Sequence, residues 1–263
     1  MILDTFSYLT PDHPLFQAAG PSSNADEATP PTTAYLVAPD PQSWQAEAEG
    51  AADHFLATMQ GLTGIAGGLL PVVGLSDEAF TRVLAAPLVR GLVLSALFEP
   101  SASLTDARTR ARVMQARELP VVIDAGFEGF SRPDHLEAFL QWFYMVGQGE
   151  GDSPRPCILT HGGQLCISGA HLSAAGELFR HFPHTLLETS GIYRQDFLEE
   201  MLQALGAERL LFGSGHPMMH ERLELERVCI LPVDQGALNA ITGETARRLF
   251  GLPVGGGSRT SRS

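Results

Sequence analysis

Residues 105–126 read TDARTRARVMQARELPVVIDAG, and this stretch decides the fold class. Its first part places apolar residues and arginines at helical spacing and stops just before Pro120, a residue that cannot continue a helix. Its second part is a short β-branched run, Val121 to Ile123, that ends in an acid, Asp124. Helix, break, buried strand and polar residue is the rhythm of a βα unit. It recurs in both directions along the chain, so the sequence predicts a parallel sheet with helical crossovers. The spacing predicts strands over 2–9, 33–37, 69–75, 91–97, 120–125, 157–161, 185–188 and 210–214. Their nearly continuous apolar content suits strands buried on both faces. Helices are predicted over 42–60, 77–86, 105–118, 133–146, 173–181, 194–205, 221–228 and 236–250.

Eight such units need about 250 residues in a (β/α)₈ barrel, and the chain has 263. One barrel domain over 1–253 is therefore expected, with the Gly- and Ser-rich residues 254–263 as a flexible tail. The first βα unit breaks the rhythm. Residues 12–31 are rich in Pro, Ser, Ala and Gly where a barrel places its first helix, so a long loop or a degraded helix is expected there.

Composition narrows the function. The net charge is −13, which argues against nucleic acid and anionic membrane as partners, since both are met by clustered positive charge. Every basic residue is Arg and there is no Lys. That removes Schiff-base chemistry, a phosphate-binding P-loop lysine and a carboxylated lysine bridging two metals. Three cysteines, Cys157, Cys166 and Cys229, make no disulfide framework and match no zinc spacing, which fits a reducing, cytoplasmic setting. The first residues lack a signal peptide's basic start, and no apolar run is long enough to span a membrane.

Several motifs, in order, resemble the amidohydrolase superfamily, in its branch of metal-dependent barrel hydrolases and decarboxylases. ILDTFSYL (2–9) resembles the family's first strand, ELPVVIDAG (118–126) its fifth, ILTHGGQ (158–164) its sixth, ERLLFGSGHPM (208–218) its eighth, and ITGETARRLFGL (241–252) its closing helix. The resemblance implies a barrel whose metal is held by two first-strand histidines, a fifth-strand histidine and an eighth-strand aspartate. This chain carries Phe6, Tyr8, Asp124 and Gly215 at those positions. Only the sixth-strand histidine, His161, which the family uses to polarise substrate or water, is in place. No metal or other cofactor is expected from such a set, because zinc needs three or four protein ligands at set distances.

Three functional readings follow. In the first, the barrel has lost ordinary metal-dependent hydrolase activity and serves as a small-molecule binder or a partner subunit; a homo-oligomer is compatible with this. In the second, an Asp124–His161 dyad hydrolyses a small carboxylate, ester or lactone without metal, the carboxylate orienting an imidazole base. In the third, Asp124, His161 and His216 rebuild a metal triad, although strand alternation points His216 away from the face of Gly215. His220 shares a helical face with His216 if that segment is helical. Tyr8, Glu188, Ser190, Arg194 and Ser214 are the candidate substrate-binding residues, with Arg194 the choice for an anionic group. Arg108, Arg110 and Arg112 read as a solvated helix face, and the aromatic-rich 133–147 as either an oligomer contact or a packed helix.

Overall fold

A computed structural model describes residues 2–17, 34–101, 103–125, 133–146, 154–163 and 169–252. Most of the 12–31 loop, Cys166 and the 254–263 tail therefore lie outside the described residues. Eight parallel strands run in sequence order: β1 (Leu3–Leu9), β2 (Ala34–Pro39), β3 (Ile65–Pro71), β4 (Val89–Leu94), β5 (Val121–Ile123), β6 (Cys157–Leu159), β7 (Thr185–Glu188) and β8 (Leu210–Leu211). Each pairs with the next in parallel. Backbone bonds then join the last strand to the first: Thr5 N donates to Phe212 O at 3.0 Å, Gly215 N to Phe6 O at 3.0 Å and Tyr8 N to His216 O at 2.9 Å. Beside them, the buried carboxylate of Asp4 accepts from Ser214 N and Oγ at 2.9 and 2.5 Å. The fold is the expected (β/α)₈ barrel.

The helices are α1 (Pro14–Gln17), α2 (Pro41–Ala46), α3 (Ala48–Gly61), α4 (Asp77–Leu84), α5 (Ala107–Gln115), α6 (Pro133–Met145), α7 (Gly169–His181), α8 (Gln195–Leu205), α9 (Glu221–Cys229), α10 (Gln235–Asn239) and α11 (Thr245–Leu249). Local chemistry sets their starts. Ser76 accepts from Ala79 N at the head of α4, and Asp106 from Thr109 N at the head of α5, caps worth about 1 kcal/mol each. Among the described residues no helix is long and apolar enough to cross a membrane.

Four expectations need correction. The third strand lies at 65–71 rather than 69–75, because Gly67 and Gly68 are strand residues with no room for a side chain. A Cβ would come within 2.3 Å of Arg90 Cγ at Gly67 and 2.6 Å of Met59 Sδ at Gly68. The helix read over 42–60 is two helices, since Glu47 is extended and its side chain caps Gly50 N. The closing helix read over 236–250 is also interrupted. A π-helical turn at Ala240–Glu244 separates α10 from α11, and the Ile241 carbonyl accepts from Phe212 N, just past β8, at 2.9 Å. Arg112, finally, is not on a solvated face. It is buried, and its guanidinium donates to Val72 O, Leu75 O and Asp77. In α6 the packed reading holds for Leu136, Phe139, Leu140 and Phe143, all buried, while Met145 and Val146 at its end are exposed.

Candidate functional site

The carboxyl ends of the strands bring one polar cluster together, on the face where barrels of this kind carry their sites. Asp124 follows β5 and is 0% exposed; His161 follows β6 and is 5% exposed; Tyr8 on β1 is 1% exposed. Asp124 Oδ2 accepts from Tyr8 Oη at 2.5 Å and from Ser95 Oγ at 2.8 Å. Its Oδ1 faces His161 Nε2 at 3.2 Å and Thr160 Oγ1 at 3.3 Å. Each hydroxyl is itself fixed: Ser95 Oγ accepts from Leu97 N at 3.1 Å, and Thr160 Oγ1 from Ala125 N at 3.1 Å.

His161 is held from the other side by the turn after β7. Its Nδ1 lies 3.0 Å from the Ser190 carbonyl and 3.0 Å from Ser190 Oγ. Ser190 Oγ and Ser190 N both donate to Glu188, at 2.8 Å each. His161 has a backbone φ of +55°, the one positive value at a non-glycine among the described residues. This left-handed turn aims its N–H at Glu188 Oε2, at 3.2 Å. Such backbone positions persist where surrounding structure fixes them. Phe6 crosses the ring edge-on, with centroids 6.3 Å apart.

Burial and charge set the protonation states. Burial disfavours a charged His161, but the hydrogen bond and charge of Asp124 outweigh it, with help from Glu188, and push its pKa up to about 9. Burial also works against an ionised Asp124, yet the bond and charge of His161, with Tyr8 and Ser95, hold its carboxyl below the ordinary value. Burial raises Glu188 to about 7. The Tyr8 phenol is raised well above its ordinary value by burial and then by the Asp124 charge.

The other candidates sit elsewhere. Ser214 is bonded to Asp4, as described above. Arg194 precedes α8 and pairs with Asp196 on its own helix. His216 does not join Asp124 and His161. It packs against buried His13, ring centroids 5.2 Å apart, near Thr10 Oγ1 at 3.5 Å and Asp12 Oδ1 at 3.8 Å. The physical reason is the one alternation gives: Gly215 faces His161, so its neighbour faces outward. His220 precedes α9 and makes no capping bond. Among the described residues no three His, Cys, Asp or Glu side chains gather as a metal centre would require.

Sequence reasoning missed Ser95, Thr160, Asp4 and His13. Ser95 and Thr160 end apolar runs as Asp124 does, and that position was the available signal. His13 carried none. Cavities of about 410 and 330 Å³ lie off the cluster. The larger is bounded by the Ala51–His54–Phe55–Thr58 face of α3 and the ends of β1 and β2; the smaller lies between the loops after β3 and β4, with Glu99 and Arg112 in its wall.

The amidohydrolase family's sequence profile matches residues 21–252, starting after β1. Among solved structures, 5-carboxyvanillate decarboxylase from Sphingomonas paucimobilis superposes with a TM-score of 0.65 at 14% identity, over 96% of this chain and 99% of that one. A Pseudomonas putida protein assigned as a 2-pyrone-4,6-dicarboxylic acid hydrolase gives 0.65 at 18% identity, over 97% and 98%. A 2,6-dihydroxybenzoate decarboxylase from Rhizobium gives 0.62 at 12% identity, over 95% and 98%. At these identities the likeness is one of fold. No curated protein matches the chain.

Proposed function

The chain belongs to the amidohydrolase family, and on that footing we propose that it is a member without metal-dependent hydrolase activity, its barrel kept as a scaffold for association with a partner protein. One observation carries the loss of metal-dependent activity. Asp124 accepts from Tyr8, Ser95, Thr160 and His161, at least two donors on each oxygen. A carboxylate has about four lone-pair sites, so none is left for a divalent ion. The remaining positions agree. Phe6 has no donor atom and Gly215 has no side chain. Tyr8 holds its proton, since its pKa lies well above the ordinary value. These residues do not fit a divalent metal.

The dyad does not serve well as a base. A histidine with a pKa near 9 is almost wholly protonated at neutral pH, whereas a general base must be free to accept a proton there. Under this reading the Asp124–His161 pair is structural.

The test is the metal content of protein purified without chelator, read by elemental mass spectrometry, together with hydrolase assays after addition of zinc or manganese. Far less than one ion per chain and no metal-stimulated turnover are expected. A stoichiometric metal, or turnover that metal restores, refutes the proposal. The scaffold role also expects a stable complex with a second protein at native abundance; a lone monomer counts against that part.

A further inference from the structure

We infer that His161 is held as an imidazolium, a built-in cation that neutralises the carboxylates buried in the barrel mouth. The inference deepens the reading just given, but it stands on hydrogen-bond accounting that can fail separately.

Among the described residues, each ring nitrogen of His161 faces an oxygen that can only accept: the Ser190 carbonyl beside Nδ1 and the Asp124 carboxylate beside Nε2. Beside Nδ1 lie the Ser190 carbonyl at 3.0 Å and Ser190 Oγ at 3.0 Å. With Glu188 ionised, that hydroxyl gives its hydrogen to Glu188 Oε2 at 2.8 Å and turns a lone pair towards the imidazole. Beside Nε2 lies Asp124 Oδ1 at 3.2 Å. A neutral imidazole carries one N–H and one bare nitrogen. In either neutral tautomer a lone pair would face the Ser190 carbonyl or the Asp124 carboxylate in a buried site, where an unmade bond is costly. A doubly protonated ring satisfies both sides.

The proton cannot be moved onto Asp124 without a loss. Ser95 Oγ accepts from Leu97 N and Thr160 Oγ1 from Ala125 N, so both hydroxyls turn their hydrogens to Asp124, and Tyr8 does the same. A protonated carboxyl would leave one of these donors facing another hydrogen.

The surroundings of the ring fit a fixed charge. Asp124 comes from the end of β5, Tyr8 from β1 and Glu188 from β7. From α9, Glu224 accepts from Gly191 N at 3.0 Å; burial raises its pKa, against the pull of Arg227, the Gly191 bond and His161. Glycines clasp the ring: a Cβ at Gly191 would lie 3.1 Å from His161 Nδ1, and one at Gly215 3.5 Å from Cε1. The ring therefore has little freedom to turn away from these partners. Asp124 holds the proton on it, with a midpoint of about 9.

Two measurements test this. The first is NMR of the ring nitrogens in histidine-labelled protein. Both His161 nitrogens are expected at the protonated position throughout neutral pH, releasing a proton only near 9. A neutral ring at neutral pH overturns the inference and leaves the proposed function standing. If the His161 signals instead shift on addition of one equivalent of zinc or manganese to chelator-treated protein, both fall. The second is a charge-balance cycle with Asp124→Asn, His161→Gln and the double variant. Each single variant leaves a buried charge uncompensated, so the double variant is expected to melt above the His161→Gln single. Losses that simply add in the double variant overturn the inference. If the single variants do not fold, the NMR result on the native chain decides.

Discussion

Gly215→Asp places a carboxylate at the eighth-strand position where the family resemblance implies a metal ligand, and the structure sets its cost. Gly215 has φ of +62°, and a Cβ there would lie 3.0 Å from both Cβ and Oγ of Ser190. The left-handed backbone disfavours an ordinary side chain by about 1–2 kcal/mol, less for Asp. The contacts require Ser190 to shift by a few tenths of an ångström, and Ser190 is tied to Glu188 through both its N and its Oγ. The new group also adds a carboxylate to a site that already buries Asp124 and Glu188, where an uncompensated charge costs several kcal/mol. Some of that is offset by His161. A net loss of about 3 kcal/mol is expected, which for a chain of this size lowers Tm by roughly 6–10 °C. Gly215→Ala isolates the backbone and contact part and should cost less than half as much. The assay is thermal unfolding by circular dichroism at several scan rates, so that irreversible loss is recognised, with calorimetric titration of zinc and manganese. If Gly215→Asp melted with the native chain and bound one metal ion tightly, the reasoning would be refuted. The mouth would then be a ligand set short of a single carboxylate, not a closed network.

Stability should also depend on pH in a way that the cluster dictates. His161 binds its proton more tightly folded than unfolded, so its contribution is complete below about 6.5 and is lost as pH rises towards about 9. Each tenfold in proton affinity is about 1.4 kcal/mol, which makes this loss roughly 3 kcal/mol. Glu188, raised from 4.5 to about 7, has the same sign over its own window. His13, pushed down to about 3 by burial and then by His216, has the opposite sign and removes stability as pH falls from 6.5. Urea unfolding at fixed pH values should show the alkaline decline; a flat profile from neutral pH to about 9 would count against the assigned charge of His161. Tyr8→Phe removes one donor to Asp124, and a buried bond to a charged group is worth about 1.5–3 kcal/mol. The same unfolding assay should read that loss, and Asp124 should take up its proton at a higher pH, because the Tyr8 bond helps hold its pKa down; an unchanged midpoint would show that Tyr8 only fills space.

The barrel was legible because its strands are short apolar runs with a polar residue at the carboxyl end, as in Val121–Ile123 with Asp124 and Thr185–Glu188. Where that rule failed, packing decided. Residues 72 and 73 look more strand-like than Gly67 and Gly68, but the glycines pair in the sheet because Arg90 and Met59 fill the space beside them. The break between α2 and α3 was invisible because Glu47 is an ordinary helix former; only its extended backbone and its bond to Gly50 N mark the boundary. The same contrast holds in the cluster. An acid and a histidine at strand ends stand out in a sequence. Ser95 and Thr160 do not, since a terminal hydroxyl is common and its partner is set by the sheet's register. The packing of His13 against His216 was beyond reach because nothing local couples the loop after β1 to the loop after β8.

The residues of the mouth bond to one another in one network, and this bears on how the site can change. Tyr8 supplies a donor that Asp124 uses; Asp124 supplies the charge that keeps His161 protonated; Ser190 and His161 fill the space that the missing side chain of Gly215 leaves open. Ser190 then bridges His161 to Glu188, and Glu188 in turn receives the His161 amide. Changing any one of these leaves a neighbour with an unmade bond or an uncompensated charge, so single-residue effects in the cluster should couple strongly instead of adding. Under the proposed reading, a metal-binding mouth would need several coordinated replacements, each of which, taken alone, weakens this network.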